Sequence, residues 1–240
     1  GEGTVVAVEI AHIKRNSKEK GTETKNVEWM WNGMTITPER EAMWEISEPY
    51  MLNEQVDIIR KADESKFDTL NKMISSDKWA AESGSAGAEL IGDLDATLIG
   101  VNAQISVLTE LNSGSADIGV MDSVMANYYI NESGSTYSSS LMVSPVKIAT
   151  EEEYYGIAAR GGEVALMDKI NTSLAKLWAD GTISDIAEKY GLSDVVLPIE
   201  YTSQWDSITD KSSWDYIAAR GKIIIGYTLF APIAYEVEAA

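Results

Sequence analysis

Short apolar runs rich in β-branched residues alternate with helix-periodic stretches along most of the chain. That alternation is the strongest constraint on the fold. Strands are expected over 4–14, 27–31, 55–60, 78–81, 97–101, 117–121, 141–148, 155–159 and 222–226. Between them, helices are expected to open at Thr37-Pro38 and to run over 84–92, 103–112 and 123–130. The clearest helical period spans 163–179, with Val164, Met167, Ile170, Leu174, Leu177 and Trp178 on one face. Gly181 ends it, Thr182 caps a second helix carrying Ile183, Ile186, Ala187 and Tyr190, and Gly191 closes that one in a left-handed conformation. A helical turn follows at 214–219. Such a pattern predicts parallel β-α units in open α/β sheets, while the Ser/Gly/Thr-rich stretch 133–140 reads as a solvated loop.

Composition removes several classes of function. A net charge of −19 would repel nucleic acid and anionic lipid over most of the surface. No cysteine is present, which excludes thiolate chemistry, disulfides and Cys-based zinc sites. The single histidine, His12, reads as an ordinary strand or surface residue, so no metal and no cofactor are expected. No apolar run approaches the ~18–20 residues that cross a bilayer, so no membrane insertion is expected. The opening Gly1-Glu2-Gly3-Thr4 lacks a basic flank and an apolar stretch, and reads as free of a signal peptide.

Three segments place polar groups where a ligand would need them. In Trp31-Asn-Gly-Met-Thr-Ile-Thr-Pro-Glu-Arg40, a strand meets a glycine, two hydroxyl residues and a helix start with arginine in its first turn. Helix-opening N–H groups, hydroxyls and a guanidinium suit a carboxylate; the competing reading pairs Arg40 with Glu39 or Glu41 on a solvated face. In Asp117-Ile-Gly-Val-Met-Asp122-Ser, an apolar strand ends on an acid. Open α/β sheets bind ligands beyond their carboxyl strand ends, so Asp122 suits an ammonium group; it also suits a helix cap. Glu82-Ser-Gly-Ser-Ala-Gly87 is a strand-to-helix turn without the lysine and spacing of a phosphate loop. Phe230 reads either as a surface for ligand stacking or as core, and no hydrolase elbow or metalloprotease pattern occurs.

These motifs, with Ser47-Glu-Pro-Tyr50, Tyr155-Gly-Ile-Ala158, Leu177-Trp-Ala-Asp-Gly-Thr182 and Ile186-Ala-Glu-Lys-Tyr190, resemble the polar-amino-acid-binding proteins of ABC importers (solute-binding protein family 3). The order is permuted: Trp214-Asp-Tyr-Ile-Ala-Ala-Arg-Gly-Lys-Ile-Ile-Ile-Gly226, with Phe230-Ala-Pro232, resembles the segment that opens such proteins, yet stands last here. Linker 199–213 would join the old ends, an arrangement tolerated where termini lie close. The first lobe also looks short of one α-β piece, roughly 15–20 residues, and Arg15 stands where the family often places a clamping aromatic.

The resemblance implies a two-lobed α/β clamp, type II periplasmic-binding-protein-like, with each lobe an open, mostly parallel sheet flanked by helices. Lobe 1 would comprise 1–56 and 157–240, and lobe 2 residues 57–156, with strands 55–60 and 155–159 as hinge crossings. It implies that Gly33, Thr35 and Arg40 hold a carboxylate, that Ser85 and Ala86 add second-lobe contacts, that Asp122 takes the ammonium, and that Phe230 lies against the ligand side chain. The implied partners are a small amino acid and an ABC-transporter permease, for a periplasmic or extracellular monomer that is lipid-anchored in its native form. Two alternatives are an enzyme on the same clamp, resembling cyclohexadienyl dehydratase, and a sensor or engineered scaffold with no role in transport.

Overall fold

The computed structural model describes residues 6–7, 27–131, 135–148, 152–227 and 230–234. The chain divides into two compact units: 1–52 with 154–229 and 233–240, and 53–153 with 230–232. The first passage between units falls within β4 (Met51–Asn53) and the return within β10 (Glu153–Tyr155), two strands that form their own ribbon. β5 (Gln55–Arg60), expected as a crossing, lies wholly in the second unit. It is enclosed between two neighbouring strands of that unit's sheet and buried along nearly its whole length.

In the first unit the sheet order is β1 (Val6–Ala7), β12 (Ile225–Tyr227), β2 (Trp29–Met30), β11 (Ala158–Arg160) and β3 (Trp44–Ile46). The first three strands are parallel, and β11 runs antiparallel to both β2 and β3. Met30, Met34, Trp44 and Ala158 form the sheet's buried cluster. Beyond Val6–Ala7, the expected strand 4–14 lies outside the described residues, as do His12 and Arg15.

The strand expected over 155–159 is interrupted. Tyr155 belongs to β10 and Ala158 opens β11, because Gly156 and Ile157 turn aside to other partners. Gly156 N–H donates to Met34 O and Ile157 N–H to Ser47 Oγ, and a Cβ on Gly156 would lie 2.6 Å from Ile46 Cγ2. The close approach admits only glycine.

Helix α6 (Val164–Ala179) confirms the long helical period but not its outer members, since Val164 is 45% and Leu177 37% exposed. Polar Asp168 and Asn171 are buried instead, each with partners. Asp168 accepts from Tyr201 Oη, Ser203 Oγ and Gln204 N, which fastens the segment 201–204 to the helix. Burial, and then this carboxylate, push the Tyr201 phenol up to about 12. Helix α7 (Thr182–Lys189) buries only Ala187, and Gly191 takes the left-handed conformation at φ 67°.

The second unit's sheet order is β7 (Leu98–Val101), β6 (Trp79–Glu82), β8 (Ile118–Asp122), β5 and β9 (Leu141–Val143). β7, β6 and β8 are parallel, while β5 runs antiparallel to β8 and β9, so both sheets are mixed rather than uniformly parallel. The strand expected over 141–148 stops at Val143; Ser144 N–H still donates to Asp57 O of β5, but Pro145 has no N–H to continue a ladder. Ile59, Phe67, Met73, Trp79, Ile91, Ile118 and Val120 fill one side of the sheet. On the other, helix α4 (Gln104–Ser113) packs so closely that a Cβ on Gly119 would lie 2.4 Å from Val107 Cγ1. Among the described residues, no helix is long and apolar enough to cross a membrane.

Candidate functional site

The segment after β2 explains how the first unit presents a guanidinium. Thr37, in extended conformation, accepts from Arg40 N–H and caps the four-residue helix α1 (Pro38–Glu41), with Pro38 in its first turn. One turn in, the Arg40 guanidinium folds back and donates from Nη1 to Thr35 O at 2.7 Å. The alternative pairing with Glu39 or Glu41 does not form; the backbone carbonyl holds the side chain instead. Thr35 is buried and bridges Tyr155. Gly33 lies in the bend before it, where Met34 N–H donates to Asn32 O, and Tyr50 Oη donates to the same carbonyl. Gly33, Thr35 and Arg40 are therefore gathered on one short stretch.

Ser47 is committed elsewhere. Its hydroxyl accepts from Ile157 N–H and donates to Glu48 O.

In the second unit, the carboxyl ends of the three parallel strands each feed a helix, and the remaining expected residues sit there. After β6, Ser85 caps helix α3 (Ala86–Asp93), its Oγ accepting from Ala88 N–H at 3.2 Å. Ala86 opens that helix, where backbone N–H groups lack intrahelical acceptors. After β7, Gln104 opens α4, and after β8, Asp122 precedes α5 (Ser123–Ala126).

Asp122 is 3% exposed and makes no side-chain cap to α5, so the capping role is not the one it plays. The helix expected over 123–130 is α-helical only to Ala126 and continues as a π-helical turn over Asn127–Asn131. Asp122 Oδ1 accepts from Asn53 Nδ2 at 2.8 Å and Gln55 Nε2 at 2.5 Å, and Oδ2 accepts from Gln104 Nε2 at 2.6 Å. The backbone completes the arrangement, with Asp122 N–H donating to Gln104 Oε1 at 3.0 Å. The same two nitrogens of Asn53 and Gln55 also donate to Glu153 Oε2, at 3.0 and 2.9 Å. Two carboxylates thus share one pair of amides.

Gln55 reaches toward α3 as well: a Cβ on Gly87 would meet its Oε1 at 3.1 Å. Through Gln55, the α3 start and Asp122 belong to one local cluster. Phe230 is 4% exposed, within the short stretch 230–232 that groups with this unit.

Sequence reasoning found the acid and missed its holders. Asn53 and Gln55 stand two residues apart, Gln104 and the carboxylate of Glu153 that shares their amides come from two other stretches, and none forms a motif. The usable signal was Asp122 itself. An acid closing an apolar strand must find donors, because an unsolvated carboxylate is costly.

A second buried acid lies two residues along β5 from Gln55. Asp57 accepts from Ile148 N–H at 3.0 Å through Oδ2, while its buried Oδ1 has no partner among the described residues. Burial pushes its carboxyl up to about 6, offset in part by the Ile148 N–H. Among the described residues, no cluster of three His, Cys, Asp or Glu side chains could hold a metal ion.

A histidine-binding protein of Neisseria gonorrhoeae, assigned that function as probable, is 28% identical over 189 residues, covering 76% of this chain and 68% of that one. The ABC transporter arginine-binding protein 1 of Escherichia coli K12 is 27% identical over 165 residues, 66% of this chain and 64% of its own length. The crystal structure of the ancestral amino acid-binding protein AncCDT-1, a precursor of cyclohexadienyl dehydratase, matches with a TM-score of 0.60. It is 27% identical, and the match covers 68% of each chain. The chain thus spans about two thirds of the length of each. The pattern of the bacterial extracellular solute-binding proteins, family 3, matches residues 2–193, and the chain belongs to that family.

Proposed function

We propose that this chain binds a small amino-acid-like ligand as the solute receptor of an ABC importer outside the cytoplasm. The observation that carries this reading is Asp122, a buried acid at the carboxyl end of a parallel strand, held in place by three side-chain amides. Its role is to take the ligand's ammonium group. Arg40, steadied by Thr35 O, takes the carboxylate, with Gly33 and the Thr35 backbone beside it. Ser85 and Ala86 add the helix-opening N–H groups of α3, and Phe230 supplies an apolar surface. Charge-assisted contacts contribute about 1.5–3 kcal/mol each, a large share of the roughly −8 kcal/mol of a micromolar binder. The relatives named for histidine and arginine make those two amino acids the first to try.

The permuted order belongs to the same proposal. The family match stops at residue 193, yet the following stretch supplies β12, an interior strand lying parallel between β1 and β2. An appended tail would sit at an edge; an interior strand supports a reordered chain. The partner would be an importer's permease, and the working form a monomer.

A thermal-shift screen against the twenty common amino acids tests the reading. Bound-state stabilisation predicts a rise of a few degrees for one ligand or one chemical group of ligands. No shift for any of them, with turnover of a prephenate-like acid, would move the assignment to an enzyme on this fold, the relation that the dehydratase precursor keeps open.

A further inference from the structure

We infer that Gln104 is a positioning residue for the ligand's ammonium group, acting through Asp122; the inference rests on the binding role proposed above. Gln104 is 6% exposed and is the first residue of α4, at the carboxyl end of β7. Its amide grips Asp122 twice, donating from Nε2 to Oδ2 and accepting the Asp122 backbone N–H through Oε1. The two bonds close a ring that fixes both the carboxylate's orientation and the strand end that carries it.

The other side of the carboxylate is set by Asn53 and Gln55, themselves shared with Glu153. All three amides present N–H groups to Asp122, so the carboxylate is held as an acceptor. A ligand that joins or displaces them must bring donors, which an ammonium does and an alkyl or carboxyl end does not. Asn53 and Gln55 divide their N–H groups between two acids. Among these three amides, Gln104 is the one that couples the carboxylate to the backbone at residue 122. Orientation at a binding carboxylate depends on such supporting bonds.

Calorimetric titrations on the whole chain test this with L-histidine and L-arginine. Their counterparts without the α-amino group, imidazolepropionic acid and 5-guanidinopentanoic acid, serve as controls. Gln104→Leu, and Gln104→Met should leucine fail to fold, should weaken amino-acid binding by about 10–100-fold, on the scale of one charge-assisted bond. Affinity for the des-amino acids should change by less than about 3-fold. That selective loss is something a merely structural role would not produce. An equal loss for both ligand types, or unchanged amino-acid affinity in a folded Gln104 variant while Asp122→Asn abolishes binding, overturns the inference alone. Unchanged amino-acid affinity in Asp122→Asn overturns the binding reading itself. A wild-type chain that binds neither of these nor any other of the twenty common amino acids overturns both.

Discussion

The two units build their polar residues on unlike supports. In the second, Asp122 closes a five-residue strand paired with β5 along its length, and three amides from distant parts of the chain hold its carboxylate. In the first, Arg40 rides a four-residue helix after a bend, and one backbone carbonyl steadies its guanidinium. One anchor is set in advance by long-range hydrogen bonds, whereas the other depends on a local cap and a single contact. A preorganised group loses little freedom when a ligand arrives; a locally held one must lose more. Mutation should therefore affect folding and binding together in the second unit and binding alone in the first.

Asp122→Ala is the harshest test of that contrast. It should abolish amino-acid binding, and removing the acceptor from buried amides should also cost about 3 kcal/mol of stability. Calorimetry and urea unfolding would measure the two effects; full stability in the variant would break the comparison. From sequence alone the substitution looks harmless to folding, because the amide partners are invisible there.

Asp57 sharpens the same point through pH. Its folded pKa is raised from 3.8 to about 6, so its stabilising contribution is present below about pH 4 and is lost as pH rises through about 6. Relative to Asp57→Asn, the wild type should lose about 2–3 kcal/mol between pH 4 and pH 7.5, since a tenfold difference in proton affinity between the folded and unfolded chain is worth about 1.4 kcal/mol. Parallel stability curves for the two proteins over that range would show that burial of Asp57 carries no linkage.

Arg40→Ala should cost about 10–100-fold in amino-acid affinity while stability shifts by less than about 0.5 kcal/mol, as for other partly exposed surface sites. An unfolding midpoint that moved as far as for Asp122→Ala would erase the distinction between the units. The smallest effect on affinity is expected for Ser85→Ala. Losing the α3 cap should lower stability by about 1 kcal/mol, with a modest change in affinity, both readable in the same titrations.

Parts of this architecture are plain in local chemistry. Thr37 with Pro38, the long period over 163–179 and the left-handed Gly191 each signal structure through bonds within a few residues, and each is found in place. The failures share a cause. Val164 and Leu177 fall on the apolar face by period and are exposed, while polar Asp168 and Asn171 are buried. Periodicity sorts residues by polarity and cannot register that a distant hydroxyl or N–H will satisfy a buried acid or amide. The strand expected over 155–159 fails similarly, because Gly156 and Ile157 answer to Met34 and Ser47 rather than to their neighbours.

Sequence alone determined much of the strand and helix order, the Thr37 cap and the family motifs, since propensity, capping and hydrophobic period act over a few residues. Tertiary structure decided that β12 enters between β1 and β2, that Arg40 turns to Thr35 O, and that Gln55, Gln104 and Asn53 converge on Asp122. Hydrogen bonds reach about 3 Å, so partners many residues apart are chosen only when the chain has folded around them.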